Sequence, residues 1–121
     1  VEVVDQTGST NTDVLAAAAS GAPSGLVRAA EVQTGGRGRR GRQWINPLGG
    51  ALTFSLLWRS DRGAAALSGL SLAVGMACAR AVAAQGVTDV GVKWPNDLQI
   101  AGRKLGGILI ELQGDALGPS A

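Results

Sequence analysis

The sequence predicts an α+β fold with a mixed, largely antiparallel sheet flanked by helices. Two segments have the apolar spacing of helices, and the other apolar segments are short and bounded by Gly, Pro or Asn, as strands are. The predicted order is β-α-β-β-α-β-β-β. The 121 residues suffice for one domain with a buried core, and a single domain over residues 1–121 is expected.

The first half of the chain is expected to hold one helix and three strands. Thr10 is predicted to be the helix N-cap, with Asp13 three residues later in a variant of the capping box, and Gly21 ends the helix. Residues 34–42 contain four glycines, four arginines and no apolar residue, which indicates a loop. Strands are expected over three segments: residues 1–5, 26–33 and 51–59.

The second half is expected to hold a longer helix followed by three strands. The helix is predicted over residues 64–84, and Gly86 ends it. Its apolar stripe has three- and four-residue spacing: Leu67, Leu70, Val74, Cys78 and Ala81. Strands are expected at residues 91–94, 98–101 and 104–113, the last two joined by a tight turn at Gly102-Arg103. Residues 114–121 have turn character.

Composition excludes several function classes. The chain contains no histidine, which excludes Ser-His-Asp and Cys-His catalysis and the usual Cys/His zinc sites. The single cysteine, Cys78, excludes an internal disulfide and fits a reducing compartment, so a cytoplasmic protein is expected. No apolar run is long enough for a membrane span, and no secretory signal is recognisable. Catalysis must therefore depend on Lys, Arg, carboxylates, backbone amides or a metal ion.

The Gly-Arg loop, residues 34–42, concentrates positive charge in a chain whose net charge is only +2. Glycines let the backbone approach an anion, and guanidinium groups bind phosphate or carboxylate bidentately. Because its four arginines repel one another, we expect the loop to be mobile until an anion binds. A nonspecific nucleic-acid patch and a merely solvated loop are the alternatives.

Lys104 is the second candidate for anion binding. The chain has only two lysines, Lys93 and Lys104, and each lies at or within an apolar segment. Gly106 and Gly107 are costly within a strand unless a ligand or another backbone approaches closely. Lys104 is therefore either a ligand-binding residue or an ordinary surface lysine.

Two polar segments allow both a structural and a functional interpretation. Residues 94–97 (WPND) have turn composition, but Asn96 and Asp97 could also supply oxygen ligands to a magnesium ion that accompanies a nucleotide. Residues 9–11 (STN) suit a helix start, but with Gln33 they could also hold a ligand's amide or ureido group.

Five segments, taken in order, resemble biotin–protein ligases: residues 9–11 (STN), Gln33, residues 36–44 (GRGRRGRQW), 93–98 (KWPNDL) and 102–111 (GRKLGGILIE). The resemblance implies a core fold akin to class II aminoacyl-tRNA synthetases. It also implies ATP-dependent activation of biotin to biotinyl-5'-adenylate, followed by transfer to a lysine of a biotin carboxyl carrier domain of a biotin-dependent carboxylase.

The resemblance assigns roles to individual residues. It implies two catalytic residues, Lys104 and Arg39. It implies a biotin site formed by Ser9, Thr10, Asn11, Gln33, Arg37, Gly38, Arg39, Lys104 and Gly107. It implies a nucleotide site formed by Arg37, Arg39, Arg42, Asn96 and Asp97, the last two also serving magnesium.

This chemistry suits a chain without histidine. Biotin's carboxylate is ionised at neutral pH and can attack the α-phosphate of ATP without a general base. The step requires neutralisation of charge on the transferring phosphorus, which Arg, Lys and a metal ion supply. The second step needs a deprotonated amine, for which Asp97 is the only base we suggest.

The resemblance also implies what this sequence lacks. It contains neither the N-terminal helix-turn-helix nor the C-terminal β-barrel of such ligases, so an incomplete catalytic domain without DNA binding is expected. The resemblance allows a homodimer and gives no membrane partner. A lipoate or octanoate ligase or transferase of related fold is the nearest alternative, and a nucleic-acid-binding module or a non-catalytic biotin sensor is the more distant one.

Overall fold

A computed structural model describes residues 1–114 and divides the chain into two compact units. One unit comprises Val1–Ala66 together with residues 111–114, and the other comprises Leu67–Ile110. The predicted order β-α-β-β-α-β-β-β is confirmed. The single domain expected over the whole chain stays a prediction, and the turn expected at its end lies almost entirely outside the described residues.

The first unit contains a mixed sheet of three strands. These are β1 (Glu2–Thr7), β2 (Val27–Gln33) and β3 (Thr53–Leu56), and helix α1 (Thr10–Ala19) connects the first two. β1 is parallel to β2, which requires such a crossover, and β2 is antiparallel to β3. The inward side of β3 carries the buried residues, and the other side is exposed.

Helix α1 begins one residue earlier than predicted. Ser9, and not Thr10, is the N-cap, and its side chain makes no capping hydrogen bond. The expected capping box does not form because the Asp13 carboxylate accepts a hydrogen bond of 2.8 Å from the Thr7 hydroxyl instead. Thr10 thereby becomes the first helical residue, and its backbone amide is available to a partner outside the helix.

The core of this unit lies between α1 and β3. Val14 and Ala18 of the helix are buried against Leu57, which directly follows β3. Arg59 closes the end of the helix, because its guanidinium donates to the carbonyl of Ala18 at 2.6 Å and to that of Ala22 at 2.8 Å. These bonds tie the end of the helix and the turn after it to the residues that follow β3.

The second unit contains one helix and an antiparallel sheet. Helix α2 (Leu70–Ala83) precedes β4 (Val90–Lys93), β5 (Asp97–Ile100) and β6 (Arg103–Gly107), which pair in that order. A β-bulge interrupts the ladder between β5 and β6. The turn between these two strands has positive φ at both of its central residues, as two-residue hairpins prefer.

Two boundaries and one residue of the predicted apolar stripe differ from prediction in this unit. The helix begins at Leu70 and not at residue 64, because Gly69 adopts a φ of 85° and separates it from a short 3-10 helix, Ala64–Leu67. Ala81 of the predicted stripe is exposed, whereas Gly75 and Ala79 are buried. The last strand ends at Gly107 and not at residue 113.

The α+β class and the excess of antiparallel pairing are confirmed. Within residues 1–114, only β1 and β2 are parallel partners, and the other strand pairs are antiparallel. The strands form two three-stranded sheets, where one sheet was expected. Neither helix in this part of the chain has the length and apolar character needed to cross a bilayer.

Candidate functional site

Three of the four residues assigned to a ligand's head group come together at the start of α1. The Oε1 atom of Gln33 lies 2.8 Å from the Thr10 backbone nitrogen and 3.0 Å from its hydroxyl. The Thr10 hydroxyl also lies 2.8 Å from the hydroxyl of Ser55. Thr10 and Ser55 are buried, so these bonds satisfy polar groups that are shielded from water.

Asn11 extends the same network to an acidic residue far away in the sequence. The Ser55 hydroxyl donates to Asn11 Oδ1, and Asn11 Nδ2 donates to Glu111 Oε2 at 2.9 Å. We call Thr10, Asn11, Gln33, Ser55 and Glu111 the polar cluster. All five belong to the first unit.

Strand and helix geometry explain why these side chains meet. Ser55 lies on the inward side of β3, where residue 57 is also buried, while residues 54 and 56 on the other side are exposed. Gln33 is the last residue of β2, next to the point where α1 begins. Ser9, which directly precedes Thr10 in the chain, is also buried.

The Gly-Arg loop is folded into a narrow hairpin. The Gly38 nitrogen donates to the Arg42 carbonyl at 2.6 Å, and the Trp44 nitrogen donates to the Gly36 carbonyl at 2.8 Å. Arg40 adopts a positive φ of 57° at the tip. The expected mobility of the unliganded loop stays a prediction.

Gly36 fixes the base of this loop against the polar cluster. A Cβ atom at this position would lie 2.5 Å from the Trp44 carbonyl oxygen and 3.0 Å from the Gln33 side-chain nitrogen. The first distance is a clash, so only glycine fits without a shift of the backbone. The loop therefore begins in direct contact with the side chain of Gln33.

Arg37 joins the loop to the polar cluster. Its Nη2 atom lies 3.2 and 3.1 Å from the two carboxylate oxygens of Glu111, and its Nη1 atom donates to the Thr12 hydroxyl at 3.1 Å. The side chains of Arg39 and Arg42 are exposed. Of the loop arginines, Arg37 is thus the one that the structure brings to the head-group residues.

The second unit contains the other group of assigned residues. Lys104 Nζ lies 2.9 Å from Asp97 Oδ1, and the side chains are 48% and 26% exposed. Gly107 lies directly opposite Asp97 in the ladder between β5 and β6. Lys104, Asp97 and Gly107 are therefore neighbours within one hairpin.

Asn96 has a structural role in the same hairpin. Its side-chain nitrogen donates to the Ile108 carbonyl at 2.9 Å, and its own carbonyl accepts from the Ile108 nitrogen at the same distance. The preceding bond, Trp94–Pro95, is cis, and the turn predicted at residues 94–97 is present at residues 94–96, while Asp97 already belongs to β5. Asn96 thus continues the ladder by one residue beyond the end of β6.

The side-chain oxygens of Asn96 and Asp97 meet only part of what a magnesium site requires. A carboxylate and an amide oxygen are chemically appropriate ligands, but one Asp97 oxygen already accepts the Lys104 ammonium. Across residues 1–114, no group of three acidic, histidine or cysteine side chains could hold a metal ion. Asn96 and Asp97 alone would therefore supply only part of the oxygen ligands of a magnesium ion.

Sequence analysis missed Ser55 and Glu111. Ser55 could have been found, because it is a polar residue at a buried position of an apolar strand. Glu111 gave only a weak signal, as the first charged residue after the apolar segment of residues 108–110. Neither signal identifies their shared partner Asn11, which lies 44 positions from Ser55 and 100 positions from Glu111 along the chain.

The chain is similar in sequence to known proteins of one family. The family model of the biotin/lipoate A/B protein ligase family matches residues 3–118. The chain is 50% identical over 91 residues to the bifunctional ligase/repressor BirA of Salmonella typhimurium, covering 75% of this chain and 28% of that protein. It is 47% identical over 117 residues to the biotin–[acetyl-CoA-carboxylase] ligase of Mycobacterium tuberculosis, covering 93% of this chain and 44% of the relative.

Solved structures of biotin protein ligases are similar across nearly the whole chain. The enzyme from Leishmania major in complex with biotinyl-5-AMP superposes with a TM-score of 0.77 at 28% identity, covering 98% of this chain and 54% of that one. The enzyme from Aquifex aeolicus in complex with biotin and ATP has the same TM-score and identity, covering 98% and 50%. The chain thus spans less than half the length of these two curated relatives and about half of each solved chain.

Proposed function

Because this chain belongs to the biotin/lipoate A/B protein ligase family, we propose that it binds biotin and activates it with ATP. The product is biotinyl-5'-adenylate, from which biotin passes to a lysine of a biotin carboxyl carrier domain. The observation that carries the proposal is the polar cluster joined to Arg37. It brings head-group donors and acceptors and an anion-binding guanidinium into one network.

The polar cluster takes the head group of biotin. A ureido group has two N–H donors and one carbonyl acceptor, and it needs fixed partners of both kinds in a shielded place. Thr10, Asn11 and Gln33 supply amide and hydroxyl groups there, with Ser9 buried beside them. Ser55 holds Thr10 and Asn11 in orientation through its two hydrogen bonds.

The activation step depends on fixed positive charge. A carboxylate oxygen of biotin attacks the α-phosphorus of ATP, the bond to the β-phosphate breaks, and pyrophosphate leaves. Negative charge accumulates on the phosphoryl oxygens, and Arg37, Arg39 and Lys104 neutralise it. Arg42, together with Gly107 through its backbone nitrogen, contributes to anion binding, and Gly38 lets the loop backbone come close to the ligand. No proton transfer by the protein is required.

A magnesium ion that accompanies ATP would neutralise phosphate charge. Asn96 and Asp97 supply oxygen ligands, while Asp97 also keeps the Lys104 ammonium in place.

In the transfer step, the amine of the acceptor lysine attacks the acyl carbon of the mixed anhydride, and AMP leaves. Asp97 is our candidate to accept the amine's proton. The acceptor that we propose is the carrier domain of a biotin-dependent carboxylase, and the reaction takes place in the cytoplasm. The name of the mycobacterial relative, a biotin–[acetyl-CoA-carboxylase] ligase, supports this choice.

A lipoate or octanoate ligase is the second candidate, because the matched family model includes lipoate ligases. Both acids are activated at a carboxylate, so the anion-binding residues do not discriminate between them. The polar cluster does, because a lipoyl or octanoyl chain has no ureido group to bind its donors and acceptors. The sequence identity of 47% to a ligase whose name specifies biotin also favours biotin, and the identity to the bifunctional ligase/repressor BirA is 50%.

A nucleic-acid-binding loop receives less support from the geometry. Arg37 is paired with Glu111, which removes part of the loop's positive charge. Binding through this loop would be strongly salt-dependent and indifferent to biotin.

The test is pyrophosphate release by the protein in the presence of biotin, ATP and magnesium. We expect release that requires all three components, with no release when lipoate or octanoate replaces biotin. Release with lipoate but not with biotin would replace the proposal with the second candidate. Absence of release, together with absence of biotin binding by calorimetry, would reject both.

A further inference from the structure

Glu111 occupies the position where the polar cluster meets the Gly-Arg loop. One of its oxygens accepts from Asn11 Nδ2 at 2.9 Å, and both lie within 3.2 Å of Arg37 Nη2. Arg37 is assigned to anion binding and Asn11 to the head group. Glu111 thus contacts both parts of the proposed site, although the resemblance assigns no function to this residue.

The hydrogen bonds of the polar cluster all donate in one direction along the series from Thr10 to Glu111. A hydroxyl group has only one hydrogen to donate. Since Ser55 donates to Asn11, its oxygen is left to accept from Thr10, and the Thr10 amide supplies the bond to Gln33. Asn11 then donates to Glu111. The series of donors therefore ends on a carboxylate, which is an acceptor only.

The pair of Arg37 and Glu111 resembles the interaction that Arg37 would make with a ligand. A guanidinium binds carboxylate and phosphate oxygens with the same planar geometry. The side chains are 44% and 30% exposed, so the ion pair is partly screened and can be exchanged at low cost. Glu111 therefore supplies Arg37 with an anionic partner from the protein itself.

We propose that Glu111 is a positioning residue whose carboxylate holds Arg37 until the anionic group of the ligand replaces it. The inference rests on the proposed function, because the replacing group is the carboxylate or phosphate of the biotin–nucleotide ligand. The contact with Asn11 remains after the exchange, so the head-group residues keep their orientation while Arg37 moves to the ligand.

The decisive variant is Glu111→Gln, which removes the charge and keeps an oxygen that can accept from Asn11. Because the competing carboxylate is gone, we expect a non-hydrolysable biotinyl-adenylate analogue to bind about 2- to 5-fold more tightly, the range that a partly exposed ion pair allows. Biotin amide, which has no anionic group, should bind equally to both proteins. Calorimetry with both ligands measures the difference.

Two controls separate this effect from a change in net charge or folding. Glu31→Gln removes one negative charge from an exposed position of the same unit and should leave both affinities unchanged. In a double-mutant cycle, the gain from Glu111→Gln should disappear in an Arg37→Gln background. Glu111→Asp keeps the charge, and we expect it to bind the adenylate analogue no more tightly than wild type does.

Equal or weaker binding of the adenylate analogue by a folded Glu111→Gln protein would overturn the inference. A gain that persists without Arg37 would overturn it as well. If the wild-type protein binds neither the analogue nor biotin amide, the proposed function fails instead, so the two failures are distinguishable.

Discussion

The ammonium of Lys104 lies 2.9 Å from the carboxylate of Asp97 on the neighbouring antiparallel strand. Lys104 is about half exposed, and a pair of this kind contributes roughly 0–1 kcal/mol to stability. The ion pair therefore matters mainly for orientation, because it restricts the long, flexible side chain of Lys104 to one side of the hairpin. A lysine held in this way can meet an incoming phosphate without first losing its conformational freedom.

The first prediction is that Lys104→Ala abolishes pyrophosphate release in the presence of biotin, ATP and magnesium. The variant loses the charge that stabilises the transferring phosphoryl group, while the fold changes little. Lys93→Ala, which removes the only other lysine, is the matched control and should retain activity. Unchanged release by a folded Lys104→Ala protein would remove this catalytic assignment.

The second prediction concerns binding without chemistry. Biotin at a hundred times its dissociation constant should raise the free energy of unfolding by about 2.7 kcal/mol, because it binds only the folded state. Chemical denaturation with and without biotin measures the shift. Lipoate at the same concentration should give a clearly smaller one, and an equal shift would contradict recognition of the ureido group.

The third prediction tests the role of Ser55. Ser55→Ala removes one hydrogen bond from the Thr10 hydroxyl and one from Asn11 Oδ1 in a buried place, which should cost about 1–3 kcal/mol of stability. Biotin affinity should also fall, because the two side chains lose their orientation. Ser20→Ala, at an exposed position, should change neither quantity. Normal biotin affinity in Ser55→Ala would show that Ser55 does not position the head-group residues.

The fourth prediction tests the tight base of the Gly-Arg loop. Gly36→Ala places a methyl group against the Trp44 carbonyl, and we expect a loss of about 1–3 kcal/mol of stability. Gly38→Ala is the control from the same loop, since its Cβ would meet neighbours only at 3.5 Å and beyond. Equal melting temperatures for the two variants would mean that the loop base is more adaptable than its packing indicates.

The fifth prediction concerns the hairpin turn between β5 and β6. Ala101 has a φ of 47°, which is unfavourable for alanine and acceptable for asparagine. Ala101→Asn should therefore raise the free energy of unfolding by about 0.5–1 kcal/mol. Ala51→Asn, in an exposed loop without a positive φ, should have little effect. A destabilised Ala101→Asn protein would contradict this reasoning.

Local sequence signals predicted the element order well, because apolar periodicity and glycine positions are properties of neighbouring residues. They failed where a distant residue competes with a local one. Thr10 was expected to cap the helix, but Asp13, its partner in that motif, bonds to Thr7. Glu111 was overlooked because its partners lie 74 and 100 positions away along the chain. Such contacts depend on tertiary folding, which spacing along the chain does not report.

The bulge between β5 and β6 has a consequence for the spacing of Lys104 and Gly107. In a regular strand, positions three apart point to opposite sides of the sheet. Here one extra residue of β6 is accommodated, so Lys104 lies opposite Gln99 and Gly107 lies opposite Asp97, two positions that share a side. An odd separation thus places both on a common side, whereas a regular ladder over the same four residues would put one of them on the reverse side.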